Sequence, residues 1–63
     1  MLRAIREGSG LSLRELANAV GEPTVSYQHI GRVESGERAV TPELAYRIIL
    51  ACAQHIVDNG AAA

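Results

Sequence analysis

The chain has 63 residues, 48% of them hydrophobic, with six basic and seven acidic side chains and a formal charge of -1. That length allows one small domain, which buries only about 60% of its extended surface and is marginal on its own. It leaves little room for a core and a concave pocket together, which argues against most free-standing enzymes. The apolar fraction is too high for wholesale disorder. One cysteine forms no internal disulfide, and with only two histidines it builds no tetrahedral metal site. No apolar run approaches the ~20 residues needed to span a bilayer, and the start does not resemble a secretory signal. A soluble, intracellular protein is expected. All the basic residues are arginines: Arg3, Arg6, Arg14, Arg32, Arg38 and Arg47. The near-neutral balance sets up no strong field for polyanions. The guanidinium fork nevertheless suits phosphate and guanine edges better than a lysine does. Composition thus permits nucleic-acid binding without requiring it, and a mixed, solvated surface is the alternative.

Taken in chain order, residues 2–7 place Leu2 and Ile5 three apart and run into Gly8-Ser9-Gly10, which predicts a short amphipathic helix with a glycine stop. Ser12 with Glu15 three residues later is a capping-box pattern. Leu13, Leu16, Ala17 and Val20 then recur at helical spacing until Gly21. Glu22-Pro23-Thr24 reads as a turn, because proline fixes its own φ and disfavours helix in the residue before it. The next helix starts either near Pro23, capped by Glu22 or Thr24, or at Tyr27, capped by Ser26. The Ser26 start is preferred, since it turns Ile30 and Val33 inward together, seats Val25 beneath the first turn and ends the helix at Ser35-Gly36. Gly31 costs this helix about 1 kcal/mol relative to alanine. It is either a tolerated defect or a point of close approach to the backbone. Thr41-Pro42-Glu43 opens a last helix with a capping hydroxyl, a proline at the first position and an acid near the positive dipole end. Nothing interrupts that helix before Asn59-Gly60, so it spans about 42–58, and Ala61-Ala62-Ala63 is too short to interpret. No strand alternation, repeat or low-complexity stretch appears. The predicted fold is all-α, one domain over 1–63.

Two short helices joined through a glycine turn are weak evidence by themselves. The residue detail is sharper. Leu2-Arg3-Ala4-Ile5-Arg6-Glu7, Gly10-Leu11-Ser12-Leu13-Arg14-Glu15-Leu16-Ala17, Gly21 and Ile30-Gly31-Arg32-Val33-Glu34-Ser35-Gly36-Glu37-Arg38 together resemble the Cro/repressor (XRE-type) helix-turn-helix family. The resemblance covers about residues 2–48. It implies a compact four-helix, possibly five-helix, lambda-repressor-like domain with the motif at about 12–35. Two departures stand out. The turn at 22–24 is three residues longer than the family usually has, which would tilt or lengthen the recognition helix. Leu13 stands where the family often has a phosphate-touching glutamine, leaving that contact missing or supplied by Ser12 or Arg14.

Carried over residue by residue, the resemblance puts the helix after Ser26 in the major groove. Tyr27, Gln28 and Arg32 match the base-reading positions. Glutamine reads adenine and arginine reads guanine O6 and N7 bidentately, each worth ~1–3 kcal/mol of discrimination. Tyr27 is open between stacking on a thymine methyl, bonding a phosphate and covering the edge of the core. Gly31 would let the helix backbone approach the groove closely. Ser12, Arg14, His29, Ser35, Arg38 and Thr41 are the candidate phosphate contacts, with plain capping the alternative for the hydroxyls. Arg6 and Glu34 resemble the family's buried ion pair between the first helix and the end of the third.

The last helix carries one stripe, Leu44, Ala45, Ile48, Ile49, Cys52 and Ile56, expected to pack on the motif. A second stripe is Tyr46, Leu50, Ala53 and Val57. Only Glu43, Arg47, Gln54 and Asp58 make a clearly polar face. Apolar residues wrap more of this helix than one core contact needs, and a symmetric homodimer through Tyr46, Leu50, Ala53 and Val57 is the economical explanation. Cys52 is then a buried small hydrophobe.

The expected function is a sequence-specific repressor, most like a short phage Cro-type protein, occupying a pseudo-palindromic operator on double-stranded DNA in the bacterial cytoplasm, at the nucleoid. The alternative is an antitoxin or antirepressor that uses the fold to bind a protein. Many relatives continue into a fifth helix; this sequence ends instead, so no ligand-sensing domain is expected. No catalytic residue, metal, cofactor, small-molecule ligand or membrane contact is expected, and no paired-carboxylate or nucleophile–base arrangement supports an enzyme.

Overall fold

The computed structural model describes residues 1–21 and 25–60. Four helices follow one another: α1 (Leu2–Ser9), α2 (Leu13–Val20), α3 (Tyr27–Glu34) and α4 (Pro42–Gly60). No strand occurs among the described residues.

Each helix start has a local cause. Ser12 Oγ accepts the Glu15 backbone N–H at 3.1 Å, while the Ser12 N–H donates to Glu15 Oε1 at 2.9 Å. Two donors that a helix start leaves unpaired are thereby satisfied. The bonds from the Ser12 backbone and side chain hold the Glu15 carboxyl below its ordinary value. Because this folded-state value is depressed, the stabilisation is complete above the unfolded pKa and is lost as pH falls through the folded one. Ser26 Oγ accepts the His29 N–H at 3.1 Å, so α3 starts at Tyr27 as the Ser26 reading requires. Thr41 Oγ1 does the same for the Leu44 N–H at 3.1 Å. The expected turn at 22–24 lies outside the described residues.

α2 and α3 end where the sequence suggests, before Gly21 and Ser35, whereas α1 and α4 run later. α1 continues through Ser9, whose hydroxyl donates to the Arg6 carbonyl at 2.6 Å and accepts the Leu11 N–H at 3.3 Å. Gly10, at φ 88°, then takes the left-handed conformation that closes the helix. α4 reaches Gly60, with the Asn59 amide donating to the His55 carbonyl at 2.8 Å.

The core is small. Leu11, Leu16, Ile30, Ile48 and Cys52 form its centre, and Leu2, Ile5, Leu13, Ala17, Val20, Val25, Leu44 and Ala51 close around it. Leu11 had no periodicity to announce it, because it lies between α1 and α2. It precedes the Ser12 cap and shares the core with Leu16, four positions into α2, the arrangement of a hydrophobic staple.

One expectation for α4 is corrected. Ile48 and Cys52 are buried, but Ile49 and Ile56, expected against the motif, are 43% and 49% exposed. At about 100° per residue, both lie roughly 80–100° around the helix from Ile48. A helix that buries Ile48 and Cys52 therefore carries them on its outer shoulder, beside Tyr46 and Ala53. The opposite shoulder is polar, with Gln54 bonded to Asp58 at 2.9 Å and Arg47 near Glu43 at 3.8 Å.

A buried ion pair ties the ends together. Arg6 Nε and Nη2 donate to Glu34 Oε2 and Oε1 at 2.7 and 3.1 Å, and Arg6 Nη1 donates to the Leu11 carbonyl at 3.0 Å. The side chains are only 12% and 5% exposed. One guanidinium thus joins α1, the α1–α2 connection and the last residue of α3, and its bond to Glu34 raises the Arg6 pKa further. Removing one partner strands a buried charge, whereas an apolar pair of similar volume need not. Urea unfolding should show Glu34→Ala costing ~3–5 kcal/mol, and Arg6→Met combined with Glu34→Leu costing clearly less. A double variant at least as unstable as the single one would mean that the charges themselves are indispensable.

Candidate nucleic-acid interface

α3 presents two faces because its sequence has two periodicities. Ile30 is fully buried and Val33 is 8% exposed, while Gln28 and Arg32 are exposed on the other side. Gln28 and Arg32 are four apart and so lie one above the other on the helix surface. Together they offer an amide with a donor and an acceptor and a planar fork of donors. Gly31 is half-buried between the two faces, and a Cβ there would lie 3.6 Å from Leu13 Cδ1. Its nearest neighbour is α2, at ordinary contact distance, so packing does not demand glycine.

The chain leaving α3 folds back on the Arg32 carbonyl, which accepts the Glu37 N–H at 2.9 Å and the Arg38 N–H at 3.3 Å. Gly36, at φ 86°, makes this reversal possible. The exposed Arg38 is thereby held beside the C-terminal end of α3.

At the other end, Tyr27 is half-buried and paired with Arg14 of α2. The Arg14 guanidinium carbon lies 4.6 Å from the Tyr27 ring centroid, and Arg14 Nη2 donates to the Tyr27 hydroxyl at 3.2 Å. Periodicity alone did not pair them. The signal available was their placement in the first turns of neighbouring helices.

The remaining polar candidates differ in what their hydrogen-bonding groups already do. Ser12 and Thr41 accept capping bonds and keep their hydroxyl protons. The Ser35 hydroxyl faces the Arg32 carbonyl at 3.1 Å and the Glu37 carboxylate at 3.0 Å, which together occupy its one proton. His29 is half-buried and lines a shallow groove toward α4 with Val25, Thr41, Glu43, Leu44 and Arg47. Leu13, where a phosphate-touching glutamine is usual, packs against the core.

Arg14, Arg32 and Arg38 make no ion pair among the described residues, unlike Arg3, Arg6 and Arg47. The candidate surface is therefore more basic than the net charge implies. No cluster of three metal-binding side chains occurs among the described residues, and none of their helices is long and apolar enough to cross a membrane.

No curated protein and no solved structure matches the chain. A family model described as Helix-turn-helix, of the XRE type, matches residues 2–57. The match spans all three short helices and nearly all of α4. With the four-helix fold and an α3 that hides its aliphatic side and shows its polar side, it places the chain in the Cro/XRE-type helix-turn-helix family of DNA-binding regulators.

Proposed function

We propose that the chain is a sequence-specific transcriptional repressor that occupies a pseudo-palindromic operator as a homodimer. The observation that carries this reading is the outward Gln28 and Arg32 on a helix whose other side holds Ile30 and Val33 in the core. In a major groove, Gln28 would read adenine N6 and N7 and Arg32 would read guanine O6 and N7. Arg14 and Arg38 supply charge toward the phosphates at either end of α3, and Ser12 and Thr41 supply hydroxyl protons. Ser35 and His29 are the weaker members of the phosphate set, because one is engaged internally and the other faces α4. Arg6 and Glu34 position α3 without touching DNA.

The dimer rests on α4. Tyr46, Leu50 and Val57 are 65%, 51% and 59% exposed, and Ile49 and Ile56 join them around Ala53. A continuous apolar face of this kind on a 63-residue chain favours a partner. A second copy meeting it symmetrically would present two α3 helices to two half-sites. The same exposed face supports the second reading, a module whose main partner is another protein.

Salt dependence separates the two readings. An operator binder should lose affinity with a log–log slope of ~0.9 per phosphate neutralised, whereas a protein-binding module should show almost no duplex affinity. Arg32→Ala should fold normally and lose discrimination at one base pair per half-site, by ~1–3 kcal/mol. Uniform weakening across all duplexes would instead make Arg32 a phosphate contact. Leu50→Glu should shift the sedimentation profile from dimer to monomer, and an unchanged profile would remove α4 from the interface.

A further inference from the structure

We infer that Tyr27 is a positioning residue that holds Arg14 as a phosphate clamp, not a reader of bases. The inference rests on the DNA-binding reading above and assigns one side chain a different part within it.

The geometry is a staple between α2 and α3. Arg14 is the second residue of α2 and Tyr27 the first of α3. The guanidinium lies 4.6 Å from the ring centroid, within the range at which a cation is attracted to an aromatic face. It is also tethered at its edge, Arg14 Nη2 donating to the Tyr27 hydroxyl at 3.2 Å. A free arginine side chain carries much rotamer entropy, which a bound conformation must give up. Here the tyrosine removes that freedom before any ligand arrives, the usual route by which preorganisation raises affinity.

Donor arithmetic says which ligand suits the pair. A guanidinium has five N–H donors and no acceptor, and the bond to Tyr27 uses one. The tyrosine hydroxyl accepts that bond and still has its own O–H to donate. Together they bring several N–H donors and one O–H to an open groove also lined by Asn18 and Ser26. A donor-rich, cationic pair of this kind matches a phosphodiester oxygen, which only accepts. It does not match a thymine methyl.

The role has a signature that base reading and plain packing lack. Arg14→Ala should weaken binding to every duplex alike and lower the salt slope by ~0.9, the value for one phosphate. Tyr27→Leu changes no charge, yet by releasing Arg14 it should lower the slope toward that of Arg14→Ala. Tyr27→Phe keeps the ring, removes the hydroxyl and should weaken all duplexes roughly tenfold, the scale of one hydrogen bond to a charged group. The double variant Arg14→Ala/Tyr27→Phe should be no weaker than the product of the singles and measurably stronger than it, since both act on one contact. Fluorescence anisotropy over a salt series, with the duplex selected by the wild-type chain and a scrambled duplex as probes, reads all four. A Tyr27 variant that changes preference at a single base pair, or an unchanged slope in Tyr27→Leu together with additive singles, would overturn the inference. If Tyr27→Leu does not fold, the Tyr27→Phe coupling decides alone. Failure of the wild-type chain to bind either probe would overturn the DNA-binding reading itself, and is recognisable as such.

Discussion

The orientation of α3 depends on the burial of one residue. Ile30 has no solvent exposure and shares the core with Leu16, Ile48 and Cys52. A buried isoleucine of this kind is worth ~2–5 kcal/mol against alanine, a large part of the stability available to so small a domain. Once Ile30 points inward, helical geometry leaves Gln28 and Arg32 no position except outside. Arg6 fixes the remaining freedom by gripping Glu34 at the end of the same helix and the Leu11 carbonyl beside it. Core and ion pair together set both the rotation and the axial position of the polar face.

Much of this is legible in the sequence because it is local. The Ser12–Glu15 box, the Ser26 cap, the Thr41-Pro42-Glu43 opening and the glycines at 10, 21 and 36 each act within a few residues. All three glycines take positive φ, and at Gly10 and Gly36 the turns after α1 and α3 depend on it. Other features depend on how the helices meet. Leu11 is buried though it belongs to no periodic stripe. Ile49 and Ile56 fit an apolar stripe but lie too far around α4 to reach the motif. The Arg14–Tyr27 contact needs the relative placement of two helix starts, and spacing along the chain does not contain it.

The charge pattern shows the same division. A formal charge of -1 gives no hint of an anion-binding surface. In the fold, Arg6 is neutralised internally, and Arg3 and Arg47 each lie beside a glutamate of their own helix, Glu7 and Glu43. Arg14 sits beside Tyr27 at the start of α3, Arg32 is exposed on α3, and Arg38 is held beside its C-terminal end. Recognition of a polyanion depends on that distribution more than on the total.

The apolar outer side of α4 and the polar outer side of α3 make opposite demands on solvent, and a two-fold assembly on DNA would satisfy both. Selection of bound duplexes from a random pool tests this most directly. The account predicts a two-fold symmetric consensus whose half-sites each contain an adenine and a guanine at fixed spacing. Recovery of unenriched sequence, or of a consensus without symmetry, would contradict it.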